Sequence, residues 1–369
     1  KIKIGYFSPD FRSHPVSTLT AEIYELHDRD KFEIHGFYFG PDTQDAMNHR
    51  IKHGVDYFHN IQSVSDDDAV KLSRSLGIDI AIDLPGFTDF QRIGIFSRHA
   101  APIQVSYIGY LGTMGADYYD YILADLNIIP RENQKFYTEK IAYLSSYQAN
   151  DSKRIRPDIF FHRKDLGLPE SGFIFCCFNN TYKLTPETFD SWSRILKKAK
   201  DSILLIYVDN EVAKKNLRKE ISNRGINSSR LFFGERLPES EYLARYRVAD
   251  LFLDTQPYNA GTTASDALWM GLPVLTLCGN SFPSRMASSL LNALKIPELI
   301  TLNQNDYESL AIELAIEPKK LKLIKDKLDN NISTAPLFDS QKFIKSLESV
   351  YCKMYDRRFN GLTPDHIYD

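Results

Sequence analysis

At 369 residues the chain is long enough for roughly two domains of ordinary size, and with 43% hydrophobic residues each half can bury a core. Its 45 basic and 48 acidic side chains leave a formal net charge of −3, which gives no electrostatic reason to expect nucleic acid or an anionic membrane as the main partner. No apolar run approaches the roughly 20 residues of a membrane helix, and the four cysteines, Cys176, Cys177, Cys278 and Cys352, contain no CxxC pair, so they read as buried reduced thiols of a cytoplasmic protein.

The first half alternates strand and helix patterns. Ile2 to Phe7 is an apolar run closed by Ser8-Pro9-Asp10, Val16 to Leu26 has helical spacing, and Phe32 to Tyr38 is a strand ended by Gly40-Pro41. Asp66 to Leu76 predicts a helix whose acidic start, Asp66-Asp67-Asp68, suits the positive end of the helix dipole rather than a metal. Ile78 to Leu84, Ile103 to Ile108 and Tyr121 to Ala124 follow as short strands. Near residues 147–172 the pattern lapses into polar and basic residues, Pro157 and the Gly167-Leu168-Pro169 turn. It then restarts with strands at Phe173 to Phe178, Ile203 to Val208, Leu231 to Gly234, Leu251 to Asp254 and Pro273 to Leu277. Helices are predicted between them at Pro186 to Lys198, Glu211 to Arg224, Thr263 to Met270 and Ser284 to Ala293, and helical spacing dominates from Tyr307 to Tyr355. Such alternation implies βαβ units and mostly parallel sheets. The expected layout is a domain over 1–150, a linker over 151–172, a second domain over 173–340, and a terminal helix and tail over 341–369 that packs back on the first domain.

In doubly wound sheets ligands sit beyond the carboxyl ends of the strands, and three strand ends carry candidate chemistry. After Leu251 to Asp254 comes a turn of small residues and a helix start at Gly261-Thr262-Thr263, with Asp266 one turn further on. Unpaired N–H groups and the dipole make such a start an anion site suited to a diphosphate, and Asp266 could accept from a ribose diol; an ordinary capped helix is the alternative. The segment is neither a Walker loop nor a GxGxxG turn. Phe178-Asn179-Asn180-Thr181-Tyr182-Lys183 offers a lysine that could neutralise a leaving diphosphate without a metal, against the alternative of a solvated surface lysine. His14, in Ser8-Pro9-Asp10-Phe11-Arg12-Ser13-His14-Pro15, could act as a base or orient an acceptor hydroxyl, or be merely structural.

Taken in order, Ser8-Pro9-Asp10-Phe11, His14-Pro15-Val16-Ser17, Ala101-Pro102-Ile103-Gln104, Gly109-Tyr110-Leu111-Gly112-Thr113, Phe178 to Lys183 and Thr262 to Trp269 resemble the catalytic region of the O-GlcNAc transferase and SPINDLY-type glycosyltransferases, along essentially the whole chain. The resemblance implies an α/β GT-B architecture: two tandem Rossmann-like doubly wound domains with an interdomain cleft. It implies inverting transfer of a sugar, GlcNAc from UDP-GlcNAc, to a hydroxyl acceptor on protein Ser or Thr or on a glycan, with no metal or other cofactor. Lys183 then matches the lysine on the donor phosphates, Asn180 a neighbouring amide, Thr262 and Thr263 the phosphate binders, and Asp266 the ribose carboxylate. Tyr242 and Arg245 fall at the nucleobase, Gly261 where animal enzymes carry a histidine, and His14 near the acceptor. Gln104, Gly109, Gly112 and Thr113 are placed at the acceptor side. The family's tetratricopeptide repeats are expected in a longer native chain. Rival readings are a GDP-fucose or UDP-glucose transferase of the same family, a sugar-nucleotide epimerase, and a catalytically silent binding module.

Overall fold

The computed structural model describes all residues, 1–369. In chain order the strands are β1 (Ile2–Ser8), β2 (Phe32–Tyr38), β3 (Tyr57–Asn60), β4 (Ile80–Asp83), β5 (Ile103–Ser106), β6 (Tyr121–Ala124), β7 (Lys140–Tyr143), β8 (Phe173–Cys177), β9 (Ser202–Tyr207), β10 (Leu231–Gly234), β11 (Leu251–Leu253), β12 (Val274–Leu277), β13 (Ile300–Thr301) and β14 (Ile367–Tyr368). The chain divides into two compact units, residues 1–153 with 336–369, and residues 154–335. Against the expected linker at 151–172, the division falls at Lys153 and Arg154, and residues 154–172 belong to the second unit. The return to the first unit comes at Pro336.

The first unit holds one parallel sheet in the order β14-β7-β6-β5-β4-β1-β2-β3. Strand order reverses between β1 and β4, so the loops after these strands flank a topological switch point. The core beneath it is aromatic: Phe7 and Phe37 stack at 4.3 Å and Phe96 meets Phe7 edge-on at 5.4 Å. The terminal helix Ser340–Phe359 is bound to β1 and the first helix through Tyr6, His27 and Glu348, with Tyr6 Oη 2.8 Å from His27 Nε2 and His27 Nδ1 3.0 Å from Glu348 Oε1.

The second unit holds a parallel sheet in the order β10-β9-β8-β11-β12-β13. Numbered within the unit this is 3-2-1-4-5-6, the Rossmann winding, with its switch point between β8 and β11. A polar thread ties the core to that point: buried Trp192 donates through Nε1 to Tyr307 Oη at 3.2 Å, and Tyr307 donates to the Asp254 carbonyl at 3.0 Å. The cysteines are free thiols; Cys176 and Cys177 lie buried in β8, where burial raises both thiols. No helix is long and apolar enough to cross a membrane.

Among the elements not predicted, β7 is well buried, through Ile141, Ala142 and Tyr143, while others lie where burial is weak. The edge strand β3, Tyr57-Phe58-His59-Asn60, buries none of its four residues fully, so no alternation marks it. The helix Ala46–Gly54 buries only Asn48, Ile51 and Gly54 and shows no apolar stripe. The acidic triplet caps the helix Asp66–Leu76, with Asp66 paired to Arg92 at 2.6 Å, Asp67 to Arg98 at 2.6 Å and Asp68 to Lys71 at 3.0 Å.

Candidate functional site

At the switch point of the second unit two loops meet. The loop after β11 is folded around Asp254, whose Oδ1 accepts from Thr255 N at 2.8 Å and Ala260 N at 2.7 Å, while Oδ2 accepts from Thr276 Oγ1 at 2.7 Å. Burial pushes this carboxyl up to about 6, with its three donors and Lys183 pulling the other way. The loop delivers Thr262 and Thr263 to the head of the helix Thr262–Trp269, whose first position after Gly261 has no side-chain cap. The first hydrogen bonds inside the helix are Ala264 N and Ser265 N to the Gly261 carbonyl, at 3.1 and 3.0 Å. The N–H groups of Thr262 and Thr263 precede them and carry the positive end of the dipole.

Lys183, in a short 3-10 turn after β8, reaches this loop from the other side. Its Nζ donates to the Asn259 carbonyl at 3.0 Å and stands 4.2 Å from the centroid of the Tyr258 ring. Burial lowers the ammonium below its ordinary value, and Asp254 only partly offsets that. An ammonium held by a carbonyl and an aromatic face, next to a helix mouth, is a site in which a further anion gains from both.

Asn179 ties the loops together. It is buried, accepts from Thr263 Oγ1 at 2.6 Å, and donates to Thr255 Oγ1 at 2.8 Å. Sequence reasoning had selected its neighbour Asn180, which is exposed and leads the 3-10 turn. Thr263 also differs from expectation: its hydroxyl donates inward to Asn179, so its outward donor is the backbone N–H.

Asp266 is almost fully buried. Arg154 Nη2 donates to Oδ1 at 2.6 Å and Tyr242 Oη donates to Oδ2 at 3.0 Å. Tyr242 Oη is itself 2.6 Å from Tyr246 Oη. Burial raises the Asp266 carboxyl while Arg154 draws it back down. Tyr242 therefore braces the carboxylate with its hydroxyl turned inward, a position different from a ring free on both faces to stack on a base. Arg245 is buried at 2% exposure, donates to the Glu235 carbonyl at 2.7 Å, and lies 4.1 Å above the Phe178 ring. A Cβ at Gly234 would stand 2.7 Å from Arg245 Nη1, so a larger residue there would push the guanidinium aside. Arg154 carried no sequence signal, because its partner is distant in the chain.

In the first unit His14 heads the helix Pro15–Leu26 at the switch point after β1. Its Nδ1 is 3.3 Å from Val16 N and 3.5 Å from Asp10 Oδ2. Burial, then the Arg12 charge, lower the imidazole to about 4. Burial raises Asp10 to about 6, against the pull of Arg12. The imidazole is thus neutral at pH 7, and because Nδ1 accepts the Val16 N–H its proton sits on Nε2. Because its folded value lies below the ordinary 6.5, His14 contributes stability that is present above pH 6.5 and lost as pH falls through about 4. Nitrogen-15 shifts of His14 are expected to show a neutral ring protonated on Nε2 from pH 6 to 8. A titration of His14 centred near 6.5 would contradict this placement.

Of the remaining candidates, Gln104 requires correction. It is fully buried in β5, accepts from Ala100 N at 2.8 Å and donates to the carbonyls of Phe96 at 2.8 Å and Tyr118 at 2.6 Å. Every group of the amide is engaged within the fold, so it braces the sheet and faces no ligand. Gly109 is a contact point, since a Cβ there would lie 2.2 Å from the Leu84 carbonyl oxygen, and the loop after β5 can approach the loop after β4 only as glycine. Thr113 donates to Glu139 Oε2 at 2.7 Å, and Gly112 is half-buried near the Tyr110 ring.

The model of glycosyl transferase family 41 matches residues 1–159 and 149–347. A probable UDP-N-acetylglucosamine–peptide N-acetylglucosaminyltransferase SEC of Arabidopsis thaliana is 34% identical over 373 residues, covering 99% of this chain and 38% of the relative. The SPINDLY protein of Hordeum vulgare, a probable enzyme of the same description, is 29% identical, with 98% of this chain and 39% of the relative covered. Among solved structures, a variant of the Thermobaculum terrenum O-GlcNAc transferase superposes with a TM-score of 0.91 at 30% identity, over 98% of this chain and 69% of that one. The chain spans about two fifths of the length of the curated relatives it matches.

Proposed function

This chain belongs to glycosyl transferase family 41 and has the two-domain α/β fold of the GT-B glycosyltransferases, and on that premise we propose that it moves N-acetylglucosamine from UDP-N-acetylglucosamine to a hydroxyl of a protein Ser or Thr, inverting the anomeric centre and using no metal. The observation that carries the reading is the pairing of an uncapped helix mouth at Thr262 and Thr263 with the half-buried ammonium of Lys183. In the displacement the bond from the anomeric carbon to the diphosphate breaks as the acceptor oxygen attacks from the opposite face. Negative charge grows on the leaving diphosphate, and preorganised donors at that point lower the barrier most. In this scheme Lys183 and the Thr262 and Thr263 N–H groups hold that charge, and Asp266 accepts from the ribose. His14 belongs to the acceptor side, where it receives or relays the hydroxyl proton. The relatives named for this activity are peptide N-acetylglucosaminyltransferases, which supports a protein acceptor and a nucleotide sugar as the partners.

The test is mass spectrometry of candidate acceptor proteins incubated with the chain, a mixture of UDP-N-acetylglucosamine, UDP-glucose and GDP-fucose, and excess chelator. The expected product is acceptor Ser or Thr carrying N-acetylhexosamine, formed equally with and without chelator. Fucose or hexose on the acceptor would reassign the donor. Full loss with chelator, restored by Mn²⁺, would refute the metal-free mechanism.

A further inference from the structure

We propose that Arg154 is a donor-site residue: its guanidinium and the Asp266 carboxylate form a joint cradle for the ribose diol of the nucleotide. This rests on the function proposed above and adds to it a specificity-determining residue outside the helix mouth. The side chains are 8% and 6% exposed, and Arg154 Nη2 donates to Asp266 Oδ1 at 2.6 Å. Two further donors of the same guanidinium, Nε and Nη1, are buried with no hydrogen-bond partner. Buried donors left unpaired are costly, and each calls for a partner such as a water, an ion or a ligand.

The chemistry of the pair selects the ligand class. A carboxylate only accepts hydrogen bonds and a guanidinium only donates them. A vicinal diol does both, so each hydroxyl can donate to Asp266 and accept from Arg154. A phosphate would suit Arg154 but meet the Asp266 charge, and a base carbonyl would leave the carboxylate unused. Placement agrees: Asp266 lies four residues after Thr262, on the same helix face, and helical side chains lean back toward the N-terminus. A diphosphate at the mouth would put its ribose beside that carboxylate. Tyr242, donating to Asp266 Oδ2 at 3.0 Å, fixes the carboxylate's other oxygen, which leaves Arg154 to set the orientation of the pair.

Calorimetric titration of UDP, 2′-deoxy-UDP and 3′-deoxy-UDP into the wild-type chain and into Arg154→Lys and Arg154→Met tests this. Arg154→Lys keeps a charge opposite Asp266 while removing the rigid fork that places donors at Nε and Nη1, and thermal melting of both variants reports folding. Wild type should bind UDP at least about tenfold more tightly than one of the deoxy forms, the discrimination expected when a charge-assisted bond to a hydroxyl is lost. Arg154→Lys should narrow that ratio severalfold, since only the Asp266 bond to the hydroxyl then remains. A Lys variant that discriminates as wild type does would overturn the inference and leave the proposed function standing. If wild type binds UDP but makes no distinction among the three, the diol cradle is likewise refuted. Failure of wild type to bind UDP at all would refute the proposed function, and the inference with it.

Discussion

Replacing Lys183 with alanine is expected to lower the sugar-transfer rate by about 10²–10³ while leaving the fold intact. The ammonium has one hydrogen bond, to the Asn259 carbonyl at 3.0 Å, and one aromatic face, Tyr258 at 4.2 Å, so its removal breaks little of the architecture. What it removes is the positive charge beside the helix mouth at the moment the diphosphate leaves. Burial has already lowered this ammonium's proton affinity, and a bound anion would raise it again. Loss of rate with an unchanged melting curve is the expected pattern. Comparable initial rates for wild type and Lys183→Ala would show that the leaving charge is held elsewhere. His14→Ala should keep measurable turnover, because the acceptor-side histidine acts on a proton whereas Lys183 acts on the charge that most opposes the reaction.

Asp266→Ala is expected to act on stability as well as on binding. It leaves the Arg154 guanidinium, 8% exposed, without its carboxylate, and leaves the Tyr242 hydroxyl without its acceptor. Breaking a buried ion pair from one side costs about 3–5 kcal/mol. Chemical denaturation should therefore show the second unit destabilised by that amount, and UDP binding should be lost under conditions where the unit remains folded. A variant that melts like wild type and binds UDP normally would show that the pair serves neither purpose. Asp266→Asn, which keeps the shape and one acceptor, should fall between the two.

The frame of this molecule was legible where burial imposes a period. Asp66–Leu76, with Ser65 ahead of three acids and Gly77 behind, announces both its ends. Short central strands such as β6 and β12 stand out as apolar runs between breakers. The exposed edge strand β3 and the seven-residue helix Glu239–Arg245 do not, because neither buries enough of one face to pattern its sequence. At the candidate site, strand ends pointed to Lys183 and to the helix start, since a parallel sheet with Rossmann winding brings the loops after β8 and β11 together. Residues that act through distant partners stayed hidden. Arg154 read as one cation in a basic connecting stretch, and its partner lies 112 positions away. Asn179 carried no signal of its own, because its inward turn depends on where β8 ends.

At the centre of the account is a diphosphate held by the second unit, and the direct measurement is calorimetric titration of UDP, UMP and uridine into the chain. UDP should bind at least about tenfold more tightly than UMP, as expected when the charge-assisted bonds of one phosphate are lost, with uridine weaker still. Equal affinities for UDP and UMP would mean that Lys183 and the helix mouth do not hold the phosphate that leaves with the nucleotide.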